Sequence, residues 1–189
     1  FDHWLGTDKM GRDIFVRILF GARISLAVGC LAAVINLIVG TIYGGIAGYV
    51  GGKVDMIMMR VVDIIYSVPS MLYIVLIMLI FGASVVSIML GISITCWIDM
   101  ARIVRQQVKS LKEQEFTMAA FVLGAGSSRI LLKHLLINTM GQIIVTVTLM
   151  VPQAIFTEAW LSFLGVGISA PMASWGTLAQ DARELIMTY

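Results

Sequence analysis

Charged side chains are scarce in this sequence. They make up 13% of its residues, whereas about 25% is usual in a soluble domain. Hydrophobic residues make up 59%, so a water-soluble globule would lack polar surface, and the excess apolar surface is expected to face lipid. The net charge is only +2, and the basic residues are not interleaved with aromatic ones, which argues against nucleic acid as a partner.

Groups that could perform chemistry are also few. The two cysteines, Cys30 and Cys96, lie inside apolar runs, where a thiol behaves as a small hydrophobe. The sequence has two histidines, His3 and His134, far apart in the chain, and neither a GxxxxGK[ST] phosphate loop nor an HExxH zinc motif. We therefore expect no catalytic residue, no metal site and no cofactor bound by this chain, and any energy source must lie in another subunit.

Long uncharged runs predict membrane-spanning helices, because about 20 apolar residues cross a bilayer core. Two such runs each predict one span. A third run is too long for one span and predicts a hairpin of two, with its turn at Gly82-Ala83-Ser84. The chain is thus predicted to be all-α, a polytopic transmembrane helical bundle with about four spans, near 24–46, 64–81, 85–101 and 138–160.

Basic residues predict the orientation, because cytoplasmic segments carry an excess of lysine and arginine. They concentrate in 102–134, which holds Arg102, Arg105, Lys109, Lys112, Arg129 and Lys133. We expect this segment and 51–63 to be cytoplasmic. The predicted organisation is an extracytoplasmic or interfacial lead-in at 1–22 and a transmembrane domain at 23–189.

Small residues and prolines mark special positions within the spans. A four-residue spacing places four glycines on one helix face, where another backbone can approach closely: Gly40, Gly44, Gly48 and Gly52. This face either packs within the subunit or lines a subunit interface or pathway. Pro69 and Pro152 each remove a backbone hydrogen bond and are expected to kink their helices.

Glu158 is a carboxylate in a strongly apolar context, IFTEAWLSFLG. An ionisable residue in a span suggests a function, because its burial in a bilayer is costly. Its predicted position near the outer interface instead favours a structural role, in which it accepts hydrogen bonds from free backbone N–H groups of the glycine-containing turn that follows. Contact with a transported solute is the alternative.

The segment 111–137 predicts a helix–turn–helix at the cytoplasmic membrane surface. Residues 111–123 form the expected first helix, Gly124-Ala125-Gly126 its end, and Ser127 or Ser128 the N-cap of the second. A DNA-reading role is disfavoured, because the second helix is apolar and runs into a span. The turn instead offers a compact knob to a protein partner, with candidate contact residues Glu115, Ala119, Ala120, Gly124, Ala125, Ser128 and Arg129.

These residues carry a family resemblance. Ala119, Ala120 and Gly124, followed by RILLKHLLIN, resemble the EAA loop of permease subunits of binding-protein-dependent ABC importers. Together with GTDKMGRDIFVRILFGARISLAVG, GGKVDMIMMRVVD and EAWLSFLGVGISAPMASWGTL, they resemble the C-type permease of oligopeptide, dipeptide and nickel importers along nearly the whole chain. Met118 and Ile137 depart from the family loop, which usually has Glu and Pro there.

The resemblance implies a type I ABC importer permease fold in a prokaryotic cell membrane, with six spans, of which the first and last would lie outside 1–189. It implies a B-type permease subunit as partner and an EAA loop that contacts one of two cytoplasmic ATPase subunits, which hold the ATP-Mg. It also implies an extracytoplasmic solute-binding protein, which would face outer segments containing Ser174, Trp175 and Gly176.

Two further questions stay open at the level of sequence. Peptides are favoured over nickel as the solute, because no His/Cys/Asp cluster lies in the spans. The alternative function is a self-sufficient secondary transporter or channel, and only Glu158 and the kinked helices support it.

Overall fold

The computed structural model describes residues 3–164, 167 and 172–188, and this part of the chain is built of helices. The elements are α1 (Ile14–Ile35), a π-helical turn (Asn36–Gly40), α2 (Thr41–Val50), α3 (Gly52–Tyr66), α4 (Ser70–Phe81), α5 (Val85–Thr95), α6 (Ile98–Lys112), α7 (Glu115–Val122), α8 (Ser127–Arg129), a second π segment (Ile130–Leu135), α9 (Leu136–Phe163) and α10 (Trp175–Thr188).

Within this part, three continuous helices are long and apolar enough to cross a membrane: Ile14–Val50, Val85–Lys112 and Ser127–Phe163. A fourth crossing is counted if the bent pair Gly52–Tyr66 and Ser70–Phe81 forms one span. The predicted all-α transmembrane architecture is confirmed, with spans longer than expected. The first helix, with 37 residues, would be about 55 Å long at about 1.5 Å per residue.

Several predicted boundaries are wrong because packing, not hydropathy, decides where these helices end. The first helix begins at Ile14, inside the expected lead-in, and continues through the glycines that were expected to form an exit. Its end is at Gly51, whose φ of 71° is left-handed and suits glycine. Charged residues do not interrupt α3, because two of its carboxylates pair with α6.

The two prolines differ in their effect. Pro69 lies in the break between α3 and α4, so the expected kink is a full interruption of the helix. Pro152 lies inside α9, which continues through it. Threonine hydroxyls on the same helix, such as those of Thr148 and Thr157, donate to carbonyls four residues earlier.

The chain divides into two compact units, Phe1–Ala32, Met71–Ile92 and Val151–Tyr189 in the first, and Ala33–Ser70 and Ser93–Met150 in the second. In the first unit, glycines allow close contacts between helices. A Cβ at Gly91 would lie 2.6 Å from the Cα of Ile74, and one at Gly29 would lie 3.1 Å from the Val151 carbonyl oxygen. These positions join α5 to α4 and α1 to α9.

The second unit is organised around α6. A Cβ at Gly40 would lie 2.8 Å from the Trp97 carbonyl oxygen, and one at Gly48 would lie 2.7 Å from that of Arg105. Gly40, Gly44 and Gly48 therefore pack against α6 and the residue before it, which is the first of the two roles expected for the glycine face. Gly52 does not belong to this face, since it begins α3 at a φ of 56° with open space around it.

Gly44 and Gly45 provide a matched test of this packing. A Cβ at Gly44 would lie 2.9 Å from the Cα of Ala101, whereas one at Gly45 would meet only the ends of leucine side chains at 3.6 and 3.7 Å. We expect Gly44→Ala to destabilise the protein by about 1–3 kcal/mol through overpacking, and Gly45→Ala to leave it unchanged or slightly stabilised. Thermal unfolding of the purified variants in detergent measures both, and equal midpoints would contradict the packing described.

Candidate functional site

The segment between α6 and α9 forms a corner that projects from the second unit. Helix α6 ends at Lys112 and α7 begins at Glu115, so the single helix expected over 111–123 is wrong. The Thr117 hydroxyl donates a 2.8 Å hydrogen bond to the Leu111 carbonyl, which fixes the angle at this break. Thr117 is buried, and its side chain thus fixes the angle between α6 and α7.

The end of α7 is the Schellman arrangement that the glycine pattern predicted. Gly124 has a φ of 82°, and its N–H donates to the Phe121 carbonyl. The Ala125 N–H donates to the Ala120 carbonyl at 3.0 Å. These two bonds satisfy carbonyls that a helix end leaves free.

The start of the next helix differs from the prediction by one residue. Gly126 has the extended backbone of an N-cap and accepts a hydrogen bond from the Ile130 N–H, while Ser127 is already helical. Neither Ser127 nor Ser128 is the N-cap, because a glycine already supplies the non-helical backbone at that position.

The corner has a buried inner side. Ala120 and Ile130 belong to a hydrophobic cluster with Met100, Val104, Val108, Leu135 and Ile143, to which α6, α7, the second π segment and α9 all contribute. Among the candidate contact residues, Ala120 is therefore a packing residue and Ala125 is half-buried, whereas Glu115, Ala119, Gly124, Ser128 and Arg129 are exposed.

The outer side of the corner is apolar. Phe121, Val122 and Leu123, called here the apolar knob, are 71%, 83% and 86% exposed. Beside the knob lies a groove of about 650 Å³ lined by Tyr49, Val50, Lys112, Thr117, Met118, Phe121, Val122 and Ile130. Exposed apolar patches of this kind mark sites of protein or membrane contact.

The corner is connected to the rest of the second unit through the end of α2. The Lys112 ammonium donates a 2.6 Å hydrogen bond to the Tyr49 carbonyl and lies over the Tyr49 ring, 5.2 Å from its centre. A cation at this position also complements the negative end of the α2 dipole. The first spanning helix and the corner are thereby held together where α6 ends.

Helix α3 adds a charged connection that the sequence motifs did not reveal. Arg105 on α6 binds Asp55 with two hydrogen bonds, from Nε and from Nη2, and Lys109 lies 3.6 Å from the same carboxylate. Asp55 is buried. One turn towards the start of α6, Arg102 pairs with Asp63 at 2.9 Å in a more exposed setting. In the sequence, these two ion pairs are visible only as two aspartates on α3 and two arginines on α6 at similar spacing. That spacing predicts the pairs only if the packing of α3 against α6 is already known.

A separate polar cluster lies in the first unit around Glu158, which is fully buried. Its carboxyl oxygens accept hydrogen bonds from the hydroxyls of Ser25, at 3.0 Å, and Ser162, at 2.9 Å. Ser25 Oγ in turn accepts a 3.4 Å bond from the Trp175 N–H. Among the described residues, the hydrogen-bond partners of Glu158 are thus serine hydroxyls, because α1 brings Ser25 against α9. The glycine-containing turn expected to bond this carboxylate lies mostly outside the described residues.

The segment expected to face a binding protein also packs in this unit. Ser174 is buried, its Oγ accepts from the Thr177 N–H at 3.2 Å, and it thereby caps α10. A Cβ at Gly176 would lie 2.6 Å from the Cα of Ala159. Trp175 is 39% exposed, and its indole N–H donates to the Ile18 carbonyl. Contact of these residues with a binding protein stays a prediction.

Comparison with known proteins agrees with this architecture. The family described as "Binding-protein-dependent transport system inner membrane component" matches residues 40–187, a range that includes α2, the corner and Glu158. The chain belongs to this family. It is accordingly a multi-pass membrane component of a transport system.

Individual relatives point the same way. The chain is 53% identical over 188 residues to the oligopeptide transport system permease protein OppC of Bacillus subtilis, and 51% identical over 187 residues to the dipeptide transport system permease protein DppC of that bacterium. It is 46% identical over 182 residues to OppC of Escherichia coli K12. These alignments cover 100%, 99% and 96% of this chain, and 62%, 58% and 60% of the relatives. The chain therefore spans about three-fifths of the length of these relatives.

Asp55 and Asp63 allow the two ion pairs to be compared. We expect Asp55→Asn to lower the free energy of unfolding by about 3 kcal/mol, because two cations lose their buried partner, and Asp63→Asn to lower it by less than about 1 kcal/mol. Denaturant titration of the two variants under identical conditions measures the difference. Equal losses would show that Asp55 does not hold α3 against α6 as described.

Glu158 can be tested against a role in solute contact. Glu158→Ala leaves two buried hydroxyls without their acceptor, and we expect a loss of about 2–4 kcal/mol. Glu158→Gln keeps one carbonyl oxygen and is expected to lose less. Thr157→Ala at the neighbouring half-buried position is the control and should cost less than about 1 kcal/mol. Loss of transport in Glu158→Gln at an unchanged thermal midpoint would contradict a purely structural role.

Proposed function

We propose that this protein is a permease subunit of a binding-protein-dependent ABC importer of peptides, and that the corner between α6 and α9 is its contact with a separate cytoplasmic ATPase. The observation that carries this proposal is the apolar knob. It is exposed, it lies in the strongly basic segment assigned to the cytoplasmic side, and it is held in place by the Schellman bonds and the buried cluster.

The knob and its groove suit a protein partner. Hot spots of protein interfaces are well-packed apolar anchors that fill pockets, and here the exposed Phe121 side chain stands at the edge of a groove of about 650 Å³. Small residues next to it, Ala119 and Gly124, leave room for close approach of the partner surface. Gly124 is required for its left-handed backbone as well.

The connections of the corner suggest how partner movement reaches the membrane. A displacement of α7 is passed to α6 through the buried cluster, from α6 to α2 through the glycine contacts, and from α6 to α3 through Asp55. Packed interiors transmit displacement because they have little compressibility. ATP-driven closure of two ATPase subunits would thus tilt these helices together and alternate access to a pathway shared with a B-type permease subunit.

Peptides are the proposed solute because OppC and DppC, which this chain resembles along its length, are named for oligopeptide and dipeptide transport. The described residues contain no group of three or more His, Cys, Asp or Glu side chains placed to hold a metal ion. ATP and Mg²⁺ belong in this proposal to the ATPase subunits, and the chain binds no cofactor itself. An extracytoplasmic binding protein would deliver the peptide near Trp175.

A bulky residue at Ala119 tests the coupling role. Ala119 and Ala83 are both exposed, Ala119 beside the apolar knob and Ala83 in the turn between α4 and α5. Because a hot-spot loss of about 2 kcal/mol corresponds to roughly thirtyfold in affinity, we expect Ala119→Trp to abolish co-purification of the ATPase and peptide uptake. Ala83→Trp should leave both intact.

Two results would contradict the proposal. One is normal ATPase recovery and uptake in Ala119→Trp when the variant is correctly folded by its thermal midpoint. The other is peptide uptake by the purified protein in vesicles that contain no ATPase, which would favour the self-sufficient transporter.

A further inference from the structure

A second concave site lies in the first unit. It is a pocket of about 400 Å³ lined by Arg12, Val16, Arg17, Phe20, Arg23, Ile24, Met172 and Ala173. Among the described residues, three arginines and five apolar residues line the pocket and no acidic side chain does. Such a lining matches a ligand that is anionic at one end and apolar at the other.

The arginines of the pocket differ in how they are held. Arg17 donates to Asp8 and to Asp181, both at 2.9 Å, and Arg12 donates to Asp8 at 2.7 Å. Desolvation acts to raise the pKa of Asp8, but hydrogen bonds from the backbone and side chain of Arg12 and from the Met10 N–H lower that pKa to about 2. Asp8 therefore stays ionised at neutral pH and keeps two guanidinium groups in place.

Arg23 differs from Arg12 and Arg17. Within residues 3–164, 167 and 172–188 it forms no ion pair, although it lines the pocket with Arg12 and Arg17. Two carboxylates offset the charges of Arg12 and Arg17, so Arg23 supplies the uncompensated positive charge. A guanidinium without an ion-pair partner, beside two that have one, favours a phosphate group. It can donate two parallel hydrogen bonds to two of the phosphate oxygens.

The apolar side of the pocket is continuous with exposed apolar side chains of α1. Phe20 and Val16 line the pocket and are 64% and 45% exposed, and Leu19 on the same helix is 57% exposed. They lie in the first ten residues of α1, at the start of the first spanning helix. Cations at a helix end next to exposed apolar side chains are placed at the boundary between headgroups and acyl chains.

We infer that this pocket binds the phosphate headgroup of an anionic phospholipid, with Arg23 as the residue that contributes the binding charge and Phe20 as the wall for the acyl chain. The lipid would lie against α1 and the segment before α10 and so hold them at the outer membrane surface. This role is independent of peptide transport and of the ATPase contact.

Two variants and one control test the inference in the full-length protein, purified with the subunits that accompany it. Arg23→Gln removes the free charge without breaking an ion pair, and Met172→Glu adds a carboxylate at an exposed position of the pocket, since Met172 is 55% exposed. Arg60→Gln is the control, because it removes the same charge at an exposed position of α3 that does not line the pocket. Phosphatidylglycerol and phosphatidylcholine are titrated separately into delipidated protein, and bound lipid is counted by native mass spectrometry.

The expected result is preferential binding of phosphatidylglycerol by the wild type and by Arg60→Gln, and an affinity about tenfold lower in Arg23→Gln and Met172→Glu, as loss of one charge-assisted hydrogen bond predicts. Equal binding of both lipids, or equal affinity in all variants, would overturn the inference. If soluble glycerol phosphate bound as tightly as the lipid, the acyl chain would contribute nothing, and the role assigned to Phe20 would be wrong. Displacement of the lipid by a peptide would assign the pocket to solute instead.

Discussion

The close approach of α2 and α6 is the constraint on which the second unit depends. At Gly40, Gly44 and Gly48 the two backbones leave no space for a Cβ. In a membrane there is little hydrophobic force between helices, so association depends on such direct packing and on polar contacts. Because α6 continues directly to the coupling corner, this contact determines where the corner stands relative to the first spanning helix.

Ion pairs add α3 to the contact that the glycines form between α2 and α6. Asp55 and Asp63 lie on α3, and the arginines that pair with them lie on α6, one turn apart. The basic residues that predicted a cytoplasmic side are therefore partly structural: Arg105, Lys109 and Lys112 are engaged with α3 or with the end of α2. The proposed ATPase contact would thus act on α6 and, through these bonds, on α2 and α3.

Features with local signals could be predicted from the sequence, and those created by contact between helices could not. Apolar runs predicted helices able to cross a membrane, and the described residues contain three of them, or the predicted four if α3 and α4 form one span. Gly124 predicted the end of α7, because its left-handed backbone is a property of that residue and its neighbours. The partners of Glu158 were missed because Ser25 is distant in the chain. Gly52 was misplaced because a four-residue repeat in the sequence does not show where the helix breaks. The contacts of the exposed candidates Ser128 and Arg129 stay predictions.

A π-helical turn, Asn36–Gly40, lies in the first spanning helix directly before α2. Each residue of an α-helix rotates the chain by about 100°, and a π turn accommodates an extra residue, so it changes the direction in which the following side chains point. Ser25 and Gly29 precede Asn36 and face α9, whereas Gly40 and Gly44 face α6. The change has a cost, since the Asn36 amide is buried without a hydrogen-bond partner among the described residues. The buried amide lies four residues before Gly40, so this cost falls next to the helix contact that positions the corner.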